Sequence, residues 1–81
     1  MFQNEIGVEY KGKVYLQAHG SPFDRGAADS YYGRNRDPHY YPMGTGNEPR
    51  IGISLLSPEE INAYHAGYDW NEEQGDKKDW G

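Results

Sequence analysis

Aromatic side chains replace aliphatic ones in this chain, and that substitution constrains its fold more than any other feature. Leu, Ile, Val and Phe account for 11 of the 81 residues, whereas Tyr, Trp and Phe supply 12 rings. So low an aliphatic fraction is typical of disordered chains when net charge is high, but each buried ring removes roughly 150 to 250 Å² from water. The sequence therefore predicts one small domain with a thin aromatic core, since a chain of this length is too short for two cores.

Residues 5–17 predict a β-hairpin. Apolar residues alternate with polar or small ones before Lys11 and Gly12, which supply a two-residue turn. The return strand then places Val14 and Leu16 on one face, with the intervening tyrosine on the other. A two-stranded hairpin is marginal in water, so we expect a helix to cover its apolar face.

Two Ser-Pro steps predict the starts of two helices. Ser21 and Ser57 can each cap a helix whose first residue is proline, and an acidic residue follows each serine three positions later. We expect helices over 22–33 and 58–74, the first of them ended by Gly33.

Residue spacing also predicts which helix faces are buried. The expected apolar stripes are Phe23, Ala27 and Tyr31 in the first helix, and Ile61, Tyr64 and Tyr68 in the second. Gly26, Gly33 and Gly67 have a structural explanation, because an absent side chain lets two helices approach closely. The predicted fold class is α+β, an N-terminal β-hairpin packed on two α-helices.

The remaining segments are less regular. Residues 34–50 contain three prolines and two glycines and predict a long loop, a kind of segment that tends to be functional or mobile. Residues 50–55 form either a short third strand or extended chain. The tail at 76–81 is polar apart from Trp80, which either folds back onto the core or stays exposed for a partner.

Charge is distributed unevenly along the chain. The net charge is -5, yet residues 1–58 hold six acids and six bases, so the whole excess lies in residues 59–81. All four arginines fall between positions 25 and 50, among tyrosines. The sequence therefore predicts an acidic end and an arginine-aromatic middle.

The arginine-aromatic middle is the first candidate for a binding site. Guanidinium groups hold phosphates and tyrosine rings stack on unpaired bases, a combination that favours single-stranded or looped RNA. The expected RNA contacts are Arg25, Arg34, Arg36, His39, Tyr40 and Tyr41. A structural role explains the same residues, with Tyr31 and Tyr40 in the core while Arg34 and Arg36 neutralise Asp29 and Asp37. An acidic tail in the same chain also repels nucleic acid. Both interpretations stay open.

The acidic end supports an alternative hypothesis. Glu72 and Glu73 lie near the C-terminal end of the second helix, where the helix dipole disfavours them, so they can mark a surface that a basic partner neutralises. Such a protein would mimic nucleic acid and inhibit a host defence protein, as anti-CRISPR or anti-restriction factors do. The residues of this surface are Asp69, Glu72, Glu73, Asp76 and Trp80. A solvated face that aids solubility also explains them.

The sequence lacks the residues that several kinds of site require. The chain has no cysteine, which excludes disulfides, thiolate zinc sites and cysteine nucleophiles. His65 and Asp69, one helical turn apart, are the best local metal pair, but two ligands do not make a site. We expect no metal, no cofactor, no catalysis and no small-molecule substrate. The start lacks the regions of a signal peptide and no apolar run suffices to cross a bilayer, so we expect a soluble cytoplasmic protein with no membrane partner.

Two short patterns resemble the ribosome modulation factor family. The first is Arg25-Gly26 followed, after six residues, by Gly33-Arg34 and then by Pro38 and an aromatic residue. The second is Tyr64-His65-Ala66-Gly67-Tyr68. The resemblance implies a helical pair that binds ribosomal RNA and suppresses translation, with Arg25, Arg34 and Arg36 on phosphates. The chain as a whole also resembles small uncharacterised phage and prophage proteins. We therefore expect a phage-related regulatory protein that docks onto a host machine, with the ribosome or a structured RNA as first choice.

Overall fold

The computed structural model describes residues 7–16, 18 and 20–75. Its elements, in chain order, are β1 (Gly7–Tyr10), β2 (Lys13–Leu16), α1 (Pro22–Tyr31), β3 (His39–Tyr40), β4 (Ile51–Gly52), a 3₁₀ turn (Ile53–Leu55) and α2 (Pro58–Gln74). In the described part of the chain, the strands form two separate two-stranded antiparallel sheets, β1–β2 and β3–β4. The protein therefore has the α+β fold that the sequence predicts.

The β1–β2 hairpin turns at residues 11–12, which take positive φ angles of 51° and 82°. In its register Val8 pairs with Tyr15, so these two residues share a face. The prediction that Val14 lies on the covered face is wrong, because Val14 is 66% exposed while the ring of Tyr15 stacks on Phe23 with centroids 5.2 Å apart. The two-residue turn fixes which residues of β1 and β2 pair, and this pairing decides which side chains face the helices. The outer ends of the predicted hairpin and the side chain of Leu16 lie outside the described residues.

α1 begins with the cap that its Ser-Pro step predicts. The Ser21 hydroxyl accepts a hydrogen bond of 3.2 Å from the Asp24 amide, and the Asp24 carboxylate accepts one of 2.9 Å from the amide of Gly20. The helix ends at Tyr31, earlier than predicted, and Gly33 lies just beyond it with a left-handed φ of 72°. The left-handed glycine therefore follows the helix end instead of forming its last residue.

α2 begins with a complete capping box. The Ser57 hydroxyl accepts from the Glu60 amide at 3.1 Å, and the Glu60 carboxylate accepts from the Ser57 amide at 2.8 Å. The helix ends before Gly75, whose φ is 70°. Because the signals at both ends are local, the sequence alone predicts these bounds.

The two helices cross at a pair of glycines. A Cβ atom on Gly26 would lie 1.9 Å from the carbonyl oxygen of Tyr64, and one on Gly67 would lie 2.0 Å from the carbonyl oxygen of Phe23. Each helix therefore presents a bare stretch of backbone to the other, and no larger residue fits without separating them.

This glycine crossing changes the buried faces that spacing predicts. α1 buries Phe23, Gly26, Asp29 and Ser30, and Ala27 and Tyr31 are only half-buried. In α2 the fully buried residues are Tyr64, Ala66, Gly67 and Asn71, while Ile61 and Tyr68 are half-buried. The predicted stripes are wrong in part because they followed the apolar residues, whereas the buried faces also contain the glycines and three polar side chains.

The predicted loop at 34–50 contains a strand. His39 pairs with Gly52 and Tyr40 with Ile51, so the third strand proposed for residues 50–55 exists and has a partner inside that loop. Both strands are two residues long, which is too short for an alternating pattern to show in the sequence. None of the helices in the described ranges is long and apolar enough to cross a bilayer.

Candidate functional site

All four arginines of the chain line one pocket of about 380 Å³. We call it the arginine pocket and define it by Arg25, Arg34, Arg36 and Arg50. The rest of its lining consists of Asp29, Asn35, Asp37, His39 and Tyr41. Arginines that are spread over 26 positions of the sequence, 25–50, thus share a single concave surface.

The fold brings the four arginines together in three steps. Arg25 lies on α1, and Arg34 and Arg36 follow the end of that helix. Arg50 immediately precedes β4, and the antiparallel pairing of β4 with β3 returns it to residue 37, where its Nη2 donates to the Asp37 carboxylate at 2.7 Å. The short β3–β4 sheet is therefore the element that completes the pocket.

A buried carboxylate forms the inner wall. Asp29 is 3% exposed and accepts a hydrogen bond from the Tyr64 hydroxyl, which in turn accepts one of 3.0 Å from the Asp37 amide. Burial, reinforced by the bond to Asp29, raises the pKa of the Tyr64 phenol, so Tyr64 stays protonated and donates. The other Asp29 oxygen lies 3.4 Å from Nη1 of Arg34 and 3.9 Å from Nη2 of Arg25. Asp29 thus orients two guanidinium groups.

His39 serves the pocket as a neutral side chain. Its Nδ1 lies 2.6 Å from the Asp37 carbonyl oxygen, and its Nε2 lies 3.1 Å from Nε of Arg25. A carbonyl can only accept and a guanidinium can only donate, so the proton sits on Nδ1 and Nε2 is the acceptor. Burial lowers the pKa of His39, and the charges of Arg50 and Arg25 act in the same direction. His39 therefore positions Arg25 and adds no charge at neutral pH.

The other three arginines form the rim. Their side chains are 40 to 56% exposed, against 11% for Arg25. Arg34 lies over the ring of Tyr32 at 4.7 Å, and Arg36 over that of Tyr68 at 4.3 Å. Each guanidinium carries five N–H donors, more than one neighbouring carboxylate can use, so the rim can also bind an anion from solvent.

The structure brings together most of the residues that sequence reasoning assigned to RNA. Arg25, Arg34, Arg36, His39 and Tyr41 line the pocket, whereas Tyr40 does not. Successive strand residues point to opposite faces, so Tyr40 faces away from His39, and burial together with the nearby Glu60 raises its pKa. Sequence reasoning assigned Asn35 and Arg50 no role, and it gave Asp29 and Asp37 only that of neutralising arginines. For Arg50 a signal existed, since it is one of the four clustered arginines.

The acidic residues of the alternative surface contact three different elements. Asp69 forms an ion pair with Arg36, and Glu72 accepts a bond of 2.5 Å from the Ser30 hydroxyl. Glu73 accepts from the Tyr10 hydroxyl, and this bond raises the pKa of Tyr10 to about 12. Asp76 and Trp80 lie outside the described residues.

His65 and Asp69, the best local pair for a metal ion, both contact Arg36. Nδ1 of His65 lies 3.0 Å from Nη1 of Arg36, and Asp69 binds Nη2 of that guanidinium. Within residues 7–16, 18 and 20–75, no three metal-binding side chains come together. His65 and Asp69 therefore bind the guanidinium group of Arg36.

Comparison with family models, curated proteins and solved structures found no significant match to this chain. The resemblance to the ribosome modulation factor family therefore rests on its two short patterns and stays a prediction. Gly26 and Gly67, one from each pattern, are the residues that meet at the helix crossing.

Proposed function

We propose that this protein is a non-catalytic regulatory protein that binds RNA, with phosphate groups held in the arginine pocket. The observation that supports the proposal is the convergence of every arginine of an acidic chain on one concave surface. Four guanidinium charges face two lining carboxylates there, and Asp69 neutralises Arg36 from outside the lining. Because His39 is neutral, an excess of one positive charge remains. Concave surfaces of one charge sign concentrate counter-charged ligands, and phosphate is the ligand that arginine favours.

The tyrosines beside the pocket support RNA over other phosphate carriers. Tyr32 is 37% exposed next to Arg34, and Tyr41 forms part of the lining. An aromatic ring near a phosphate site offers a stacking surface for an unpaired base, worth about 1–3 kcal/mol per base. Single-stranded or looped RNA presents both groups together.

The proposed partner is the ribosome or another structured RNA of a host cell, in the cytoplasm, and the protein acts by occupying that RNA. Mimicry of nucleic acid by the acidic end of α2 has less support. Asp69, Glu72 and Glu73 each contact another part of the same chain, and Asp69 neutralises one of the four arginines. Phage origin stays a proposal drawn from the resemblance.

A salt titration tests the proposal. Fluorescence anisotropy would follow the wild-type protein and the Arg34→Gln and Arg50→Gln variants with a labelled RNA hairpin from 50 to 300 mM salt. Each lost phosphate contact lowers the slope of log affinity against log salt by about 0.7 to 0.9. Both variants should bind more weakly with a shallower slope, whereas Lys11→Gln, which removes one positive charge on the hairpin turn, should not.

Two results would overturn the proposal. The first is the absence of measurable RNA binding, and the second is an equal loss of affinity in Lys11→Gln and Arg50→Gln. The double variant Glu72→Lys, Glu73→Lys tests the alternative hypothesis, in which the acidic surface binds a host protein. If it abolishes capture of a host protein that Arg34→Gln still captures, the acidic surface is the functional one.

A further inference from the structure

The arginine pocket has one buried wall and one exposed rim. Arg25, Asp29 and His39 form the wall, with side chains 4 to 11% exposed, and the other three arginines have side chains 40 to 56% exposed. A ligand group therefore enters from one side. The phosphate at the end of a strand carries one substituent and can enter this way, whereas an internal phosphodiester carries chain on both sides and is held at the rim.

The hydrogen-bond donors of the pocket also favour a strand end. Inside its lining, four guanidinium groups exceed two carboxylates by two positive charges. A phosphate monoester carries about -1.5 to -2 at neutral pH and three acceptor oxygens, whereas a phosphodiester carries one charge. Asp69, which does not line the pocket, forms an ion pair with Arg36 and so reduces this excess of positive charge by one. The excess is then one positive charge, so the preference for a monoester comes from its third acceptor oxygen, which the guanidinium donors can bind.

Fixed guanidinium groups make the site selective as well as positive. Asp29 and His39 orient Arg25, Asp29 orients Arg34, and the Asp37 carboxylate orients Arg50. Guanidinium groups held in this way bind several oxygens of one phosphate with less loss of side-chain entropy.

We propose that the arginine pocket binds a terminal phosphate monoester, carried by the 5′ end of an RNA strand. This inference rests on the proposed function, because it assigns the RNA-binding pocket to one end of the RNA. The same monoester chemistry occurs in free nucleotides, so the test includes one.

The test compares ligands that carry equal numbers of phosphates. A ten-nucleotide RNA with a 5′-phosphate has as many phosphates as an eleven-nucleotide strand of the same sequence with a 5′-hydroxyl. At one salt concentration, the full chain should bind the phosphorylated strand about tenfold more tightly. The Arg50→Gln variant should reduce this ratio below about threefold, and Lys11→Gln should leave it unchanged. Circular dichroism establishes that each variant is folded.

The outcomes separate the two proposals. Equal affinity for the two strands overturns the 5′-phosphate inference and leaves RNA binding intact. No binding of either strand overturns the proposed function itself. Adenosine 5′-monophosphate binding as tightly as the phosphorylated strand overturns RNA as the carrier of the phosphate, whereas binding at least tenfold weaker supports it.

Discussion

The helix crossing joins α1 to α2, the arginine pocket joins α1 to residues 34–50, and the two regions are built by opposite means. At the crossing, Gly26 and Gly67 remove side chains so that backbone meets backbone, and no added atom fits. In the pocket, long charged side chains converge and keep hydrogen-bond donors available at the rim. The difference teaches that the residues that hold the fold and those proposed to bind a ligand can be changed separately.

Tyr64 joins the two regions. Its carbonyl oxygen lies against Gly26 at the crossing, and its hydroxyl binds Asp29 in the pocket wall. The close approach of the helices therefore sets the position of the carboxylate that orients Arg25 and Arg34. Substitutions at the crossing, at Tyr64 and in the rim should accordingly have progressively smaller effects on stability.

The largest loss of stability is expected for Gly26→Ala. Its Cβ would lie 1.9 Å from the Tyr64 carbonyl oxygen, so the helices must separate. Overpacking typically costs about 1–3 kcal/mol, and a clash with backbone should exceed about 3 kcal/mol, more than the gain of about 1 kcal/mol in helix propensity. Urea unfolding followed by circular dichroism measures the change.

Gly52→Ala is the matched control for this prediction. A Cβ there meets its nearest neighbour, Nη1 of Arg50, at 3.7 Å, an ordinary contact. The free energy of unfolding should change by less than about 1 kcal/mol. If Gly26→Ala were as mild as this control, the close crossing would be refuted.

An intermediate effect is expected for Tyr64→Phe. The change removes the hydroxyl that donates to buried Asp29 and accepts from the Asp37 amide. An unsatisfied buried group costs about 1–3 kcal/mol, so we expect a loss of about 2 kcal/mol in unfolding free energy and a weaker ligand affinity. Tyr31→Phe, on a half-buried ring of α1, should cost less than about 0.5 kcal/mol. Equal costs for the two would show that the Tyr64 hydroxyl does not support the wall.

The smallest effect on stability is expected for Arg50→Gln. Arg50 and Asp37 form an ion pair whose side chains are 42% and 64% exposed, and such pairs contribute about 0–1 kcal/mol. Unfolding free energy should stay within about 1 kcal/mol of the wild-type value while RNA affinity falls. A large loss of stability without a loss of affinity would assign Arg50 to the fold and remove it from the site.

Local signals are the ones that the sequence shows best. Both serine caps and the two-residue hairpin turn depend on a few neighbouring residues, and the structure contains all of them. Gly26 and Gly67 were predicted to allow a close helix approach because glycine inside a helix otherwise costs stability. The α+β class follows from these signals, because a hairpin followed by two capped helices has few other ways to bury its rings.

Features that depend on long-range contacts were not predictable. The β3–β4 pair consists of two-residue strands, so it has no sequence pattern, yet it decides that Arg50 enters the pocket and that His39 faces inward instead of Tyr40. Similarly, Asp29 is buried because Tyr64 and two arginines meet it in three dimensions. Sequence reasoning found the arginine cluster and named Asp29 as a neutralising partner, which its ion pair with Arg34 confirms, but it did not predict that this carboxylate is buried in the pocket wall.

The most direct test is whether the four arginines respond as one site. Nitrogen-15 NMR can follow the Nε–Hε signal of each arginine while a 5′-phosphorylated RNA strand is added. We expect the signals of Arg25, Arg34, Arg36 and Arg50 to shift with one common Kd, with little change at the amides of Gly26 and Gly67. Shifts confined to one arginine, unequal Kd values, or larger shifts at the two glycines would contradict a single arginine pocket.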